Sequence, residues 1–139
     1  MSMMDYKVHI NKSSMFNTPP VFAVYVSMLT LEWLKNLGGI EAIEKENNKK
    51  AQLIYSEIDL NPLFKGFATK ADRSTMNATF TLANDNLKET FETMLKEEGI
   101  NGLNGHRSVG GYRASMYNAM PLESVGILVD IMSELERKA

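Results

Sequence analysis

The stretch GHRSVGGYRASMYNAMP, Gly105 to Pro121, contains the residues of this sequence that are best suited to chemistry. It places His106, Arg107 and Arg113 within eight residues. A guanidinium group is permanently charged and donates two parallel hydrogen bonds to a carboxylate or a phosphate. The 24 residues from Gly99 to Leu122 include no aspartate or glutamate, although 17 acidic residues in 139 would place about three there. The stretch therefore predicts a site for a small ligand with two anionic groups.

The same residues also permit a simpler interpretation. Gly110-Gly111 would then form an ordinary hairpin turn, with both arginines as solvated flanking residues and His106 as a surface histidine. The pair Asn17-Thr18, which precedes Pro19-Pro20, has two interpretations as well. It is either a helix cap or a set of donors for a phosphate at a helix N-terminus. Residue chemistry alone leaves these alternatives open.

Composition and charge exclude several classes of protein. A net charge of -2, from 15 basic and 17 acidic residues, gives no overall field for nucleic acid or for an anionic membrane. Because cysteine is absent, disulfides and thiol chemistry are excluded, and two histidines far apart in sequence disfavour a metal site. The most apolar segment, Val21 to Leu34, is too short to span a bilayer and is interpreted as a buried core helix. The N-terminus lacks a signal-peptide pattern, so we expect a cytoplasmic protein.

Two helices are predicted in the first half of the chain. The first begins at Asn17-Thr18-Pro19-Pro20, where a side-chain oxygen can cap free amides, and it ends at Gly38-Gly39. The second, residues 40–58, has apolar residues at helical spacing. Its charged run EKENNKK, residues 44–50, is interpreted as a solvated helix face.

The second half of the chain predicts strands between two further helices. Residues 75–82 alternate between apolar and polar side chains, which is the period of a strand with one buried face. Asp85 is expected to cap a helix that ends at Gly99. Two short strands are expected around Asn101 to Arg107 and Tyr112 to Asn118, and Pro121 begins the last helix.

The predicted strand Tyr112 to Asn118 gives Arg113 defined neighbours. Strand alternation puts Arg113 on the same face as the hydroxyl groups of Ser115 and Tyr117. Gly110-Gly111 would permit a turn and a close approach of the backbone to a ligand. Taken together, the elements predict an α+β fold, in which helices cover one face of a small, mainly antiparallel sheet.

Two long stretches of the sequence carry a family resemblance. SMFNTPPVFAVYVSMLTLEWLKNLGG and, later, GHRSVGGYRASMYNAMP fit the family in order, spacing and intervening elements. From about Asp5 to the last helix, the sequence resembles the C-terminal portion of the phosphoserine aminotransferase family. These are pyridoxal-phosphate enzymes of fold type I in the class V aminotransferase group. The resemblance implies that residues 1–39 end the large, cofactor-binding domain with a long helix, and that residues 40–139 form the small C-terminal domain.

The resemblance also implies a role for each candidate residue. Asn17 and Thr18 would reach across a homodimer interface to the phosphate of pyridoxal phosphate in the neighbouring subunit. His106 and Arg107 would lie near the phosphate or distal carboxylate of the substrate, and Arg113 would hold its α-carboxylate. The implied substrates are phosphoserine and glutamate in serine biosynthesis, with a phosphorylated threonine analogue left open.

The resemblance also points to a missing group. Transamination needs a lysine that binds the cofactor covalently, and in the family that lysine precedes the region matched here. No lysine of this sequence stands in the family's lysine motif. We therefore expect no catalytic residue in this chain, no cofactor bound by it alone, and no activity of the fragment by itself. The alternative, of a different class, is a stand-alone α+β module that binds a small anionic metabolite or assembles with a separately encoded catalytic half.

Overall fold

The structure, a computed structural model, describes residues 2–139. The chain divides into two compact units, Met1–Ile40 and Glu41–Ala139. Their correspondence to the large and small domains of the family stays a prediction. In chain order the helices and strands are α1 (Tyr6–Asn11), α2 (Val21–Asn36), α3 (Gly39–Leu60), β1 (Phe64–Gly66), β2 (Asn77–Leu82), α4 (Lys88–Glu97), β3 (Tyr112–Ser115) and α5 (Leu122–Lys138).

The first predicted helix forms as α2, but its predicted start is wrong. Gly38-Gly39 follows its end in the left-handed conformation, as the stop signal predicts. At its beginning, α2 starts at Val21, and no side chain caps it. A residue that precedes a proline is disfavoured in the helical conformation. The tandem Pro19-Pro20 therefore delays the helix beyond the reach of Asn17-Thr18.

The apolar helix α2 is not buried. None of its residues is buried, and Phe22 and Leu31 are 80% and 66% exposed. The assignment of Val21 to Leu34 to a buried core is therefore wrong for this chain. An apolar run favours burial, but burial needs a packing partner, which the run itself does not specify. None of the described helices is both long and apolar enough to cross a membrane.

The second unit contains a three-stranded antiparallel sheet with β2 at its centre. Phe80 of β2 lies opposite Gly66 of β1 and opposite Tyr112 of β3. The alternation that predicts β2 is confirmed, because Ala78 and Phe80 are buried and Thr79 is not. Sequence prediction misses β1, since three residues are too few to show alternation.

Helices α3, α4 and α5 contribute to one core with the buried side chains of the sheet. An aromatic cluster occupies this core, with ring centroids between 5.1 and 5.7 Å apart, made of Phe64, Phe80, Phe91 and Tyr112. Edge-to-face and offset contacts of this kind stabilise beyond the area they bury. The predicted α+β architecture, a small antiparallel sheet with helices, is confirmed.

Helix α4 ends as predicted but begins differently. The side chain of Asn84, not Asp85, accepts the capping hydrogen bond, and a short 3-10 turn then leads into α4. After its end, Gly99 is left-handed and the amide of Ile100 donates to the carbonyl of Leu95 at 2.8 Å. This hydrogen bond is typical of a Schellman motif, which fixes the direction in which the chain leaves α4.

An ion pair in the second unit is expected to make the stability of this unit depend on pH. Arg73 donates to both carboxylate oxygens of Asp59, at 2.9 and 2.6 Å. These hydrogen bonds, with a smaller contribution from Lys70, lower the pKa of Asp59 from 3.8 to about 2. Because the folded-state pKa is the lower one, the stabilisation is present above about pH 4 and is lost as the pH falls through about 2.

We expect Asp59→Asn to lower the free energy of unfolding near neutral pH by on the order of 1 kcal/mol, after allowance for solvent screening. The loss should shrink between about pH 4 and pH 2, because wild-type Asp59 then becomes protonated. This loss in the free energy of unfolding is measured by urea unfolding at several pH values. The proteins compared are the wild type, Asp59→Asn and a control, Asp130→Asn on α5. A loss that does not change with pH would contradict the prediction.

Candidate functional site

Arg113 lies on the exposed face of β3, opposite Thr79 of β2. Its flanking residues Tyr112 and Ala114 are buried, so the predicted alternation is confirmed. Ser115 shares the face of Arg113 and is half-buried. The strand is shorter than predicted, because β3 ends at Ser115 rather than continuing through residue 118.

The strand predicted around Asn101 to Arg107 is not formed. Asn104 makes an isolated bridge to Tyr112, and residues 107–109 form a turn. Gly102 has φ 76°, a left-handed conformation that interrupts an extended strand. The loop nevertheless runs along β3, since the amide of Arg113 donates to the carbonyl of Leu103 at 2.7 Å.

Two glycines allow this loop to lie directly against the sheet. The amide of Gly105 donates to the carbonyl of Gly111 at 2.9 Å. A Cβ atom at Gly105 would collide with the carbonyl of Gly110, and one at Gly111 would lie 2.6 Å from the carbonyl oxygen of Phe80. Any other residue at position 105 would push the two ends of the loop apart, and any other residue at position 111 would push the chain away from β2.

His106 is held inside its own turn. Its Nδ1 lies 2.8 Å from Oγ of Ser108, and the backbone amide of Ser108 donates to the same nitrogen at 3.3 Å. The amides of Val109 and Gly110 both donate to the carbonyl of His106, at 2.9 and 2.8 Å. The side chain of His106 is exposed, and within residues 2–139 its Nε2 has no hydrogen-bond partner.

His106 and Arg113 line one small cavity of about 110 Å³, together with Thr79 and Thr81. Two of the three candidate substrate-binding residues are therefore brought together. Arg107 lies in the adjoining turn and does not line this cavity. In the described part of the chain, neither Arg107 nor Arg113 lies within ion-pair distance of a carboxylate. The fold thus brings His106 and Arg113 to one cavity, and both residue types can bind an anion.

Tyr112, on the buried face of β3, also lines this cavity. Tyr112 is 5% exposed, and its ring packs against Phe80 and Phe91 in the core. Burial, followed by the nearby Glu92 carboxylate, raises the pKa of Tyr112 to about 12. Its hydroxyl therefore stays neutral near physiological pH and does not offset the charge of Arg113.

A buried lysine that the sequence prediction missed holds the turn after β3. Lys50 of α3 is 1% exposed, and its Nζ donates to the carbonyl oxygens of Met116, Tyr117 and Met120, at 3.2, 2.8 and 3.1 Å. Burial lowers the pKa of Lys50. On the same helix, Nδ2 of Asn47 donates to Oδ1 of Asn118 at 2.9 Å. The interpretation of residues 44–50 as a wholly solvated face is therefore wrong at these two positions.

Asn17 and Thr18 lie in the first unit, and both are exposed. Nδ2 of Asn17 is 3.1 Å from Sδ of Met3. At the start of α2, the amides of Phe22 and Ala23 have no backbone partner in the described residues. An amide, a hydroxyl and free helical N–H groups are each donors of the type that binds a phosphate.

Comparison with known proteins identifies the family of this chain. The Aminotransferase class-V family matches residues 1–128 of the chain. The phosphoserine aminotransferase of Flavobacterium psychrophilum is 67% identical over 137 residues, which are 99% of this chain and 38% of that protein.

Two solved structures give the same result for the fold. One describes radiation damage of the Schiff base in phosphoserine aminotransferase; it has 46% identity and a TM-score of 0.87, and the match covers 100% of this chain and 39% of that one. The other is a phosphoserine aminotransferase with bound pyridoxal phosphate from Trichomonas vaginalis, with 36% identity, a TM-score of 0.80 and coverage of 94% and 38%.

The match extends over nearly all of this chain but over only part of each relative. The chain spans 38% of the length of the Flavobacterium enzyme. Its fold is that of the corresponding part of the phosphoserine aminotransferases, which are pyridoxal-phosphate enzymes of fold type I. The resemblance identified from its two long sequence stretches is therefore confirmed. The chain belongs to the class-V aminotransferase family.

Proposed function

We propose that this chain is the C-terminal portion of a phosphoserine aminotransferase. The complete protein would transfer an amino group reversibly between phosphoserine with 2-oxoglutarate and 3-phosphohydroxypyruvate with glutamate, in the cytoplasm. The observation that carries the proposal is the cavity shared by His106 and Arg113, in a stretch of the chain that lacks acidic residues. The similarity of the chain to relatives named phosphoserine aminotransferase supports it.

In this proposal the second unit binds the two anionic ends of the substrate. Arg113 holds the α-carboxylate, because its planar guanidinium can donate two parallel hydrogen bonds and so fix the orientation of the amino acid. His106 and Arg107 hold the distal phosphate or carboxylate. Holding a small molecule at both ends restricts its rotation, which positions the amino group for transfer.

The first unit would serve the cofactor in a homodimer. Asn17 and Thr18 donate hydrogen bonds to the cofactor phosphate of the neighbouring subunit, with the N-terminus of α2 adding free amides. When bound, pyridoxal phosphate supplies the electron sink for amino transfer. No lysine of this chain stands in the family's lysine motif. The proposed role of this chain is therefore to bind and orient the substrate and the cofactor. We therefore expect the chain to be inactive on its own.

Substitution of Arg107 in the complete protein tests the proposal. We expect Arg107→Ala to lower kcat/KM for phosphoserine about 10- to 100-fold, because a charge-assisted hydrogen bond to the phosphate is lost. Glutamate should be affected less, since its distal carboxylate carries about half the charge of a phosphate. The control is Lys96→Ala, which removes an exposed cation from α4.

Equal kinetics of Arg107→Ala and Lys96→Ala would contradict the proposed function. The second candidate, a stand-alone module for a small anionic metabolite, is favoured by one observation, since the second unit has a core of its own. Titration of the 139-residue chain with phosphoserine in a calorimeter separates the two functions. The substrate-binding half of a larger enzyme should bind negligibly, whereas a binding module should bind measurably.

A further inference from the structure

We propose that Ser108 is a positioning residue that keeps His106 in the tautomer with its proton on Nε2, so that the ring presents a hydrogen-bond donor to the distal anionic group of the substrate. The identity of that ligand rests on the proposed function. The tautomer is a property of this chain and can be measured without substrate.

The hydrogen bonds around Nδ1 decide the tautomer. A neutral imidazole has one nitrogen that donates and one that accepts. The backbone amide of Ser108, 3.3 Å from Nδ1 of His106, can only donate, so Nδ1 must accept. The hydroxyl of Ser108, at 2.8 Å, can rotate and donate to the same nitrogen. A proton on Nδ1 would instead point at the amide proton, so the ring proton is placed on Nε2.

The turn around His106 keeps these donors in place. The amides of Val109 and Gly110 donate to the carbonyl of His106, and these hydrogen bonds close the turn on the C-terminal side of His106. On the N-terminal side of His106, Gly105 lies against the carbonyl of Gly110, where no Cβ atom would fit. The backbone thus presents the amide of Ser108 to the ring, and its hydroxyl adds a second, shorter contact.

The consequence for binding follows from the charge of the ligand. A phosphate or carboxylate oxygen accepts hydrogen bonds, so an Nε2–H group attracts it and an Nε2 lone pair repels it. The ring of His106 is exposed, and its Nε2 is without a partner in the described residues. Arg113, in the same cavity, supplies a permanent charge. Ser108 would thereby contribute to affinity without touching the ligand.

Nitrogen-15 NMR of the full 139-residue chain tests the tautomer. Two-bond proton–nitrogen correlations at about pH 8.5, where imidazole is uncharged, distinguish the two ring nitrogens of each histidine. We expect the proton of His106 on Nε2 in the wild type. Ser108→Ala should shift the ratio of tautomers roughly fivefold toward the Nδ1 form, as expected for one lost hydrogen bond. Ser108→Thr, which keeps a hydroxyl, should restore the wild-type ratio.

His9 provides an internal control, because it lies in the first unit, where its Nε2 is 3.0 Å from the carbonyl oxygen of Met3. Its spectrum should be the same in all three proteins. A wild-type His106 with its proton on Nδ1, or an unchanged ratio in Ser108→Ala, would overturn the inference. Because Ser108 is exposed, neither substitution should disturb the core.

Kinetics of the complete protein separate this inference from the proposed function. We expect Ser108→Ala to raise KM for phosphoserine severalfold with little change in kcat, and Ser108→Thr to behave as wild type. If the tautomer shifts while KM stays constant, the assignment of His106 to the substrate fails and the tautomer assignment stands. If the tautomer does not shift, the role of Ser108 fails whatever the kinetics show.

Discussion

Replacement of Arg113 by alanine in the complete protein is expected to lower kcat/KM for glutamate and for phosphoserine alike, by roughly 10- to 150-fold. Both substrates carry an α-carboxylate, and the proposed function makes Arg113 its partner. The loss corresponds to about 1.5 to 3 kcal/mol for a hydrogen bond to a charged group, and it grows if the carboxylate is left buried without a partner. This common loss distinguishes Arg113 from Arg107, for which phosphoserine should be affected more.

A conservative variant sharpens the test of Arg113. Arg113→Lys keeps the charge but loses the planar fork, so its kcat/KM should lie between those of wild type and Arg113→Ala. Lys96→Ala on α4 again serves as the control for the loss of an exposed cation. Unchanged kinetics for glutamate in Arg113→Ala would contradict the assignment. A full rescue by lysine would show that charge alone is required.

The position of Arg113 could be predicted because it depends on a local pattern. Strand alternation requires only that Tyr112 and Ala114 face the core, and both are buried. The neighbouring loop could not be predicted in the same way. Its course depends on the left-handed Gly102 and on the close contact between Gly105 and Gly110, which are properties of the folded backbone.

Burial is the property that the sequence patterns predicted least well. Segment Val21 to Leu34 has the composition of a core helix, yet none of α2 is buried. The charged run 44–50 has the composition of a solvated face, yet Asn47 and Lys50 are buried. A signal for these two was present, since positions 47, 50, 54 and 58 follow the helical spacing of the apolar stripe of α3.

Lys50 carries the largest stability prediction. We expect Lys50→Met to lower the free energy of unfolding of the second unit by about 2–4 kcal/mol. Methionine keeps a long, unbranched side chain but cannot donate, so the carbonyls of Met116, Tyr117 and Met120 lose a shared partner. The turn that follows β3 would then be held less firmly, close to the strand that carries Arg113.

The adjacent residue provides a matched control for Lys50. Lys49 is half-exposed and pairs with Glu46 at 2.6 Å, so Lys49→Met should cost less than about 0.5 kcal/mol. Urea unfolding followed by circular dichroism is the appropriate measurement, because the second unit contains α4, α5 and nearly all of α3 but no tryptophan. Equal losses in the two variants would mean that burial of Lys50 contributes nothing specific. A large loss in Lys50→Met alone would show that the ammonium group of Lys50 stabilises the turn after β3.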